Sequence, residues 1–280
     1  ALYVDKESHR LSQMRRPHWR EGEFYGYHYD DYQTQDKILF ANSNYVTRSG
    51  DPYNVTVLRQ VEFNSNVDGK FTLPESYKVK SPGLDFSQMK TEKLGEDLYL
   101  SGKNWGFSLF YDAGDYFVAA GGYSGLTERF KAVQAFSNTQ KPLKYQIVSH
   151  HHLDHLGGMK EAYDLGAQFV TVEANKGIIK ELVGHDIPES RFVTVENLGA
   201  VAQGAVQVLD FPNGHAAHNL VTYFAEGQIL FTADMYFSRS VSGAPDGYEG
   251  LHKLKKAVTE AGFRPKTFAA AHSGRTLNSE

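Results

Sequence analysis

Up to about Lys93 the apolar positions of the chain tend to alternate with polar ones. Phe24-Tyr25-Gly26-Tyr27-His28-Tyr29, Lys37-Ile38-Leu39-Phe40 and Val55-Thr56-Val57-Leu58 carry this pattern and are expected to be β-strands, with Asn66-Val67-Asp68-Gly69 as a turn between two of them. Pro74 and Ser81-Pro82-Gly83 read as connectors. The opening residues, with Arg15, Arg16 and Pro17, read as a helix end or a loose arm.

Beyond Lys93 the pattern becomes regular. Asp97 to Leu100, Phe107 to Tyr111 and Tyr116 to Ala120 predict three strands. Leu126, Phe130 and Val133 fall on one face of a helix. The strand Tyr145 to Val148 runs into a histidine cluster, and a helix over Gly158 to Leu165 follows it. Next come a strand at Phe169 to Val172 and a helix near Asn175 to Leu182. Phe192-Val193, Val206 to Phe211, Leu220 to Phe224, Ile229 to Thr232 and Thr267 to Ala269 predict further strands, and Leu251, Leu254 and Val258 a late helix. Strands first, then strand and helix alternating, imply an α+β arrangement of β-sheets packed on each other with helices outside. Residues 1–92 are expected to be a β-rich N-terminal extension and residues 93–280 the main domain.

Composition narrows the field. A chain of 280 residues, 41% hydrophobic, can bury a full core. A formal charge of -4 and the lack of a long like-charge run argue against nucleic acid as a partner. Without cysteine there are no disulfides, thiolate ligands, cysteine nucleophiles or iron–sulfur clusters. No apolar stretch approaches the ~20 residues of a membrane helix, so no membrane insertion is expected.

The candidate chemistry centres on Ser149-His150-His151-His152-Leu153-Asp154-His155-Leu156-Gly157-Gly158. Imidazole suits zinc and similar divalent metals, and a carboxylate adds a charged oxygen donor. In an extended segment residues two apart point the same way, so His150 and His152 can hold one ion and His151 faces elsewhere. Asp154 and His155 come as the chain turns into a helix, and can face a neighbouring ion. Gly157 and Gly158 allow close backbone approach there. The plainer reading is an exposed histidine run or an affinity-tag fragment. A tag, however, lies at a terminus and is not followed by Asp-His-Leu-Gly-Gly.

In these residues the chain resembles the metallo-β-lactamase superfamily, whose signature is His-x-His-x-Asp-His after a strand. Gly214-His215, the strand Leu230-Phe231-Thr232-Ala233-Asp234 and Ala270-Ala271-His272-Ser273-Gly274 stand where that family has its later ligands. The resemblance runs from about Lys93 to the C-terminus and implies an αββα sandwich of two mixed sheets. It implies a first metal site of His150, His152 and His215 and a second of Asp154, His155 and His272, with Asp234 shared between them. His218 competes with His215 for the third place; the preceding glycine and the spacing to Asp234 favour His215. His218 is otherwise expected to touch substrate. Two features depart from the family: Ala119-Ala120-Gly121-Gly122 stands where an aspartate is common, and Ala216-Ala217-His218 replaces Thr-Pro-Gly.

The resemblance implies two divalent cations, zinc first, with iron or manganese as alternatives. A water shared by two cations has its pKa lowered from about 15.7 toward ~7. The expected activity is a hydrolase attacking a small-molecule ester, lactone, amide or phosphoester with that hydroxide. Asp154 is the expected catalytic group, orienting the nucleophile and passing its proton to the leaving group. The alternatives are a mononuclear iron oxygenase resembling the persulfide dioxygenases and a metal-binding protein without turnover. The absence of cysteine excludes the β-lactamase subclass that needs one, and the short tail after His272 implies no helical substrate domain of the glyoxalase type. A looser resemblance to exported bacterial enzymes, with a chain starting at Ala1 rather than Met, implies a periplasmic or secreted protein, with the cytoplasm as the other location.

Overall fold

In a computed structural model the strands after Lys93 sort their side chains strictly between two cores. Leu98, Leu100, Leu109, Tyr111, Val118 and Ala120 enter one apolar cluster, while the intervening Tyr99, Phe110, Phe117 and Ala119 enter another. Neighbouring residues on a strand point to opposite faces, so an unbroken apolar run marks a sheet covered on both sides. The structure describes all residues except 18–23, 57–58, 76, 78–84, 185, 238–245, 248–250 and 279–280. They fall into two compact units, Ala1–Asp85 and Phe86–Glu280.

The first unit is a five-stranded antiparallel sheet, ordered β1 (Leu2–Val4), β2 (Leu11–Pro17), β3 (Phe24–Gln35), β4 (Ile38–Arg48) and β5 (Asp51–Val55). Residues 11–17, expected as an arm or helix end, form an ordered strand instead. Its Arg15 and Arg16 pair with Gly26 and Tyr25 of β3, and the Arg15 guanidinium lies 3.7 Å from the Phe24 ring centroid. The expected strand at Val55–Leu58 is displaced toward the N-terminus and ends at Val55; Val57 and Leu58 lie outside the described residues. Asp68 N–H donates to Asn66 Oδ1 at 2.7 Å, giving the expected turn, although no strand flanks it among the described residues. Residues 81–83 also lie outside them.

The second unit runs β6 (Lys90–Gly95), β7 (Leu98–Lys103), β8 (Gly106–Asp112), β9 (Phe117–Ala120), α1 (Leu126–Ser137), β10 (Leu143–Ile147), α2 (Leu153–Leu156), α3 (Met159–Asp164), β11 (Gln168–Thr171), α4 (Lys176–Val183) and β12 (Phe192–Thr194). It continues through β13 (Leu198–Val201), β14 (Val206–Asp210), β15 (Leu220–Phe224), β16 (Ile229–Phe231), β17 (Tyr236–Phe237), β18 (Asp246–Gly247), α5 (Leu251–Glu260), β19 (Thr267–Ala269) and β20 (Leu277–Asn278).

Two mixed sheets result. One has the order β12-β11-β10-β9-β8-β7-β6, parallel from β12 to β9 and antiparallel beyond. The other is β13-β14-β15-β16-β19-β20, parallel only between β16 and β19. The residues between them, including Ile147, Val170, Val208, Leu220, Phe224 and Phe231, make the central core. Leu126, Phe130 and Val133 of α1, Met159 of α3 and Ile179 of α4 cover the outer face of the first sheet. Leu254 and Val258 of α5 cover the second through Val221, Tyr223 and Leu230. The expected α-β-β-α sandwich is the one observed. Among the described residues no helix is long and apolar enough to cross a membrane.

Candidate metal centre

Every element that carries a candidate ligand ends at the same rim. The chain leaves β10 at Ile147 and reaches His150, whose loop is tied to the other sheet by Leu220 N–H donating to Ser149 O at 2.7 Å. His152 is extended, at φ -67 and ψ 138, and caps the one-turn helix α2. This places His150 and His152 side by side, their ring centroids 4.6 Å apart, while His151 is exposed. Asp234 follows β16 and His272 follows β19. Both loops are fixed by backbone bonds, Ala271 N–H to Ala233 O at 2.9 Å and Phe107 N–H to Ala271 O at 2.8 Å. His215 arrives from the loop between β14 and β15, where Asn213 Oδ1 accepts its backbone N–H at 2.8 Å.

The ligand atoms converge in two groups. Those of His150, His152, His215 and Asp234 lie within 4.8 Å of one another, and so do those of Asp154, His155 and His272. Asp234 faces both. Its Oδ2 is 3.1 Å from His215 Nε2 and 3.7 Å from His150 Nε2, while its Oδ1 is 2.7 Å from His155 Nε2 and 3.1 Å from His272 Nε2. All the residues expected as ligands are thus brought together at one rim. His218 is placed differently: its Nδ1 is 2.6 Å from Asp210 Oδ2, and it belongs to neither group. His18 and His185 lie outside the described residues.

The donors fit a divalent cation. His155 is fully buried, yet neither of its ring nitrogens makes a hydrogen bond of acceptable geometry, and the same holds for Asp234 Oδ1. Buried polar atoms are rarely left so. His150 Nε2 and His215 Nε2 face each other at 3.1 Å, a separation that suits one N–H···N bond between neutral rings and equally two ligands of one ion. Two ring nitrogens are held from behind: Trp105 O accepts His272 Nδ1–H at 3.0 Å, and Ser149 Oγ lies 3.1 Å from His150 Nδ1. Such contacts fix the tautomer and aim the other nitrogen inward.

The electrostatics agree. Burial, with repulsion from His155, pushes His150 down to about 2, and burial with His215 lowers His152, so both rings are neutral and offer lone pairs at neutral pH. Burial pushes the Asp234 carboxyl up, but the His155, His215 and His272 rings crowded against its two oxygens outweigh burial and hold the group well below the usual carboxylate range. Burial and the neighbouring Asp154 raise the Tyr123 phenol above its ordinary value.

Gly157 and Gly158 matter for closeness rather than for φ, which is -60° and -95°. A Cβ on Gly158 would strike the carbonyl oxygen of Tyr123, and one on Gly157 the Ser124 hydroxyl. The β9–α1 loop is therefore pressed against the histidine segment. That loop brings in Tyr123, which sequence reasoning missed. The one signal for it was positional: it stands just past Gly121-Gly122, where the sequence departs from the family it resembles. Trp105, tilted at 32° against His272 with ring centroids 4.6 Å apart, was missed as well.

No family model matches the chain. A hydroxyacylglutathione hydrolase from Pelagibacter ubique is 29% identical over 119 residues, covering 40% of this chain and 46% of that protein. The match thus spans less than half of the relative. Among solved structures, the DIM-1 metallo-β-lactamase superposes with a TM-score of 0.53 at 17% identity, over 68% of this chain and 92% of its own. A metallo-β-lactamase from Hirschia baltica gives 0.53 at 21%, over 68% and 92%. The FIM-1 enzyme from Pseudomonas aeruginosa, in a mono-zinc form, gives 0.51 at 17%, over 68% and 89%.

Proposed function

Since the chain has the metallo-β-lactamase fold, we propose that it is a metal-dependent hydrolase with a dinuclear, zinc-loaded centre. The observation that carries this reading is Asp234, whose two carboxylate oxygens face separate donor groups. His150, His152 and His215 would hold one cation and Asp154, His155 and His272 the other, with Asp234 shared between the two donor groups. Cations held there would supply a water of lowered pKa, near ~7, and would polarise the oxygen of a carbonyl or phosphoryl substrate.

The protein's own groups do the rest. His150, His155 and His272 are buried and backed by packing, so the donor geometry is set before substrate arrives. Asp154 differs, with its side chain 48% exposed and therefore reachable by substrate. With the cations bound, its carboxylate would orient a water and carry the released proton to the leaving group, a role for which general acid–base catalysis contributes roughly 10²–10⁴-fold. Substrates of this class are small esters, thioesters, lactones, amides or phosphoesters. Thioesters enter because of the hydroxyacylglutathione hydrolase relative.

Elemental analysis of the purified chain tests the centre: two zinc per chain is expected, whereas one iron per chain points to the oxygenase alternative. Turnover of at least one substrate in a panel of chromogenic esters, thioesters, lactones, β-lactams and phosphodiesters is expected, and Asp154→Ala should abolish it. Silence across the panel with both metals bound would favour a binding protein without turnover.

A further inference from the structure

The β9–α1 loop is more firmly held than a surface connection requires. Its successive carbonyls from Gly121 to Ser124 each accept a hydrogen bond from a different donor. Ser108 Oγ donates to Gly121 O at 2.7 Å and Gly158 N–H to Gly122 O at 2.8 Å. Arg129 reaches back from α1 to Tyr123 O and, at 3.0 Å, to Ser124 O; its Nε donates to Ser108 Oγ at 2.9 Å. Arg129 is 2% exposed, an uncommon place for a guanidinium unless its donors are used. Glu161 of α3 accepts the N–H groups of Gly125 and Thr127, both at 2.7 Å, and closes the far end.

What this scaffold presents is one side chain. The Tyr123 hydroxyl lies 2.9 Å from Asp154 Oδ2, and no other described residue makes a hydrogen bond to that carboxylate. It also lies 3.0 and 3.3 Å from the two ring nitrogens of His272. Nearly equal distances to both nitrogens are not those of an in-line bond to either lone pair, and Nδ1 already faces Trp105 O, so the phenol proton goes to Asp154. The Tyr123 ring meets His155 and His272 edge-on, with centroids 5.3 and 5.2 Å apart. A single residue therefore touches all three side chains of the second donor group, and its ring contacts and hydrogen bonds include none of the first.

We propose that Tyr123 is a positioning residue for the second cation: clamped by Arg129, its phenol fixes the otherwise half-exposed Asp154 carboxylate against His155 and His272 and so sets second-site affinity. This inference rests on the dinuclear reading above. It also gives the Ala119-Ala120-Gly121-Gly122 stretch a replacement for the support that the missing aspartate leaves open.

Tyr123→Phe removes the hydroxyl and keeps the ring, so simple packing is conserved. The test is a calorimetric titration of the metal-free full chain with zinc, beside the same titration of wild type, and the melting temperature of both metal-free proteins. The expected result is a wild type with two binding steps and a variant whose weaker step falls by roughly ten- to a hundredfold, the range for partners behind a ligand. The other step and the metal-free melting temperature stay unchanged. Two steps of wild-type affinity in Tyr123→Phe would overturn the role of Tyr123 and leave the dinuclear reading standing. Equal weakening of both steps would also overturn it, since the effect must be selective. A wild type that takes up a single zinc would overturn the dinuclear reading and this inference with it.

Discussion

Replacing His215 by alanine deletes one of the four donors of the first group, and the structure allows the loss to be sized. His215 Nε2 stands 3.1 Å from both His150 Nε2 and Asp234 Oδ2, so it belongs to the donor cluster and not to its surroundings. The side chain is only 12% exposed, but it sits in a loop rather than a sheet, and its removal should leave the fold intact. Structural zinc sites bind with about 10–16 kcal/mol, or ~3 kcal/mol for each of four donors. A loss of that size is roughly a hundredfold in affinity. Competition of the metal-free protein with a chromogenic chelator for zinc measures it directly. His218→Ala is the parallel variant, because His218 bonds Asp210 and not the cluster, and it should keep the wild-type affinity. An intact first site in His215→Ala, with a weakened one in His218→Ala, would refute the assignment of donors.

Removing the cations should soften the second unit, because the donors tie loops from both sheets. At a free concentration of about 100 times Kd each cation contributes ~2.7 kcal/mol, or ~5.4 kcal/mol for the pair, so a chelator should lower the melting temperature by roughly 11–22 °C. An unchanged melting curve would mean that no ion is held. Helix α1 has Gly125 as its N-cap and so no side-chain cap of its own, and Glu161 takes that part from α3. Glu161→Ala should therefore cost about 1–3 kcal/mol in urea denaturation without changing the slope, and a loss below ~0.5 kcal/mol would contradict the capping role. Burial, and then its bond to Glu226, pushes the Tyr111 phenol up to about 12 from an ordinary 10.0. The unfolded chain then gives up a proton that the native chain keeps, so stability should fall by up to ~2.7 kcal/mol as pH rises from 10 to about 12. Tyr111→Phe should make that decline shallower, measured as urea midpoints across the same range, and an unchanged slope would contradict the part given to Tyr111.

Much of the second unit was legible because its strands serve two cores. Leu98 to Leu100 and Phe107 to Tyr111 are apolar on both faces, and such runs leave few alternatives to a covered strand. The edge strands β6, β13 and β20 were not read. Lys90–Gly95 has only exposed and half-buried positions, and Leu277–Asn278 is too short to show a period. The strand at Leu11–Pro17 was missed for a related reason: its Arg-Arg-Pro ending is stabilised by pairing with β3 and by aromatic neighbours, which the local sequence does not reveal. The histidines and aspartates of the centre were legible because their order and types survive without knowledge of the fold. Tyr123 was not, since its hydroxyl reaches Asp154 only after Arg129, Ser108 and Gly158 have set the loop. Asp210 escaped likewise, as its pairing with His218 depends on the loop between β14 and β15 folding back on the strand end.

The centre can be tested most directly by crystallography with anomalous data collected at the zinc and iron edges. Two zinc peaks are predicted, one enclosed by His150, His152 and His215, the other by Asp154, His155 and His272, with Asp234 between them. No peak at Asp234, or a single peak away from these side chains, would contradict the account.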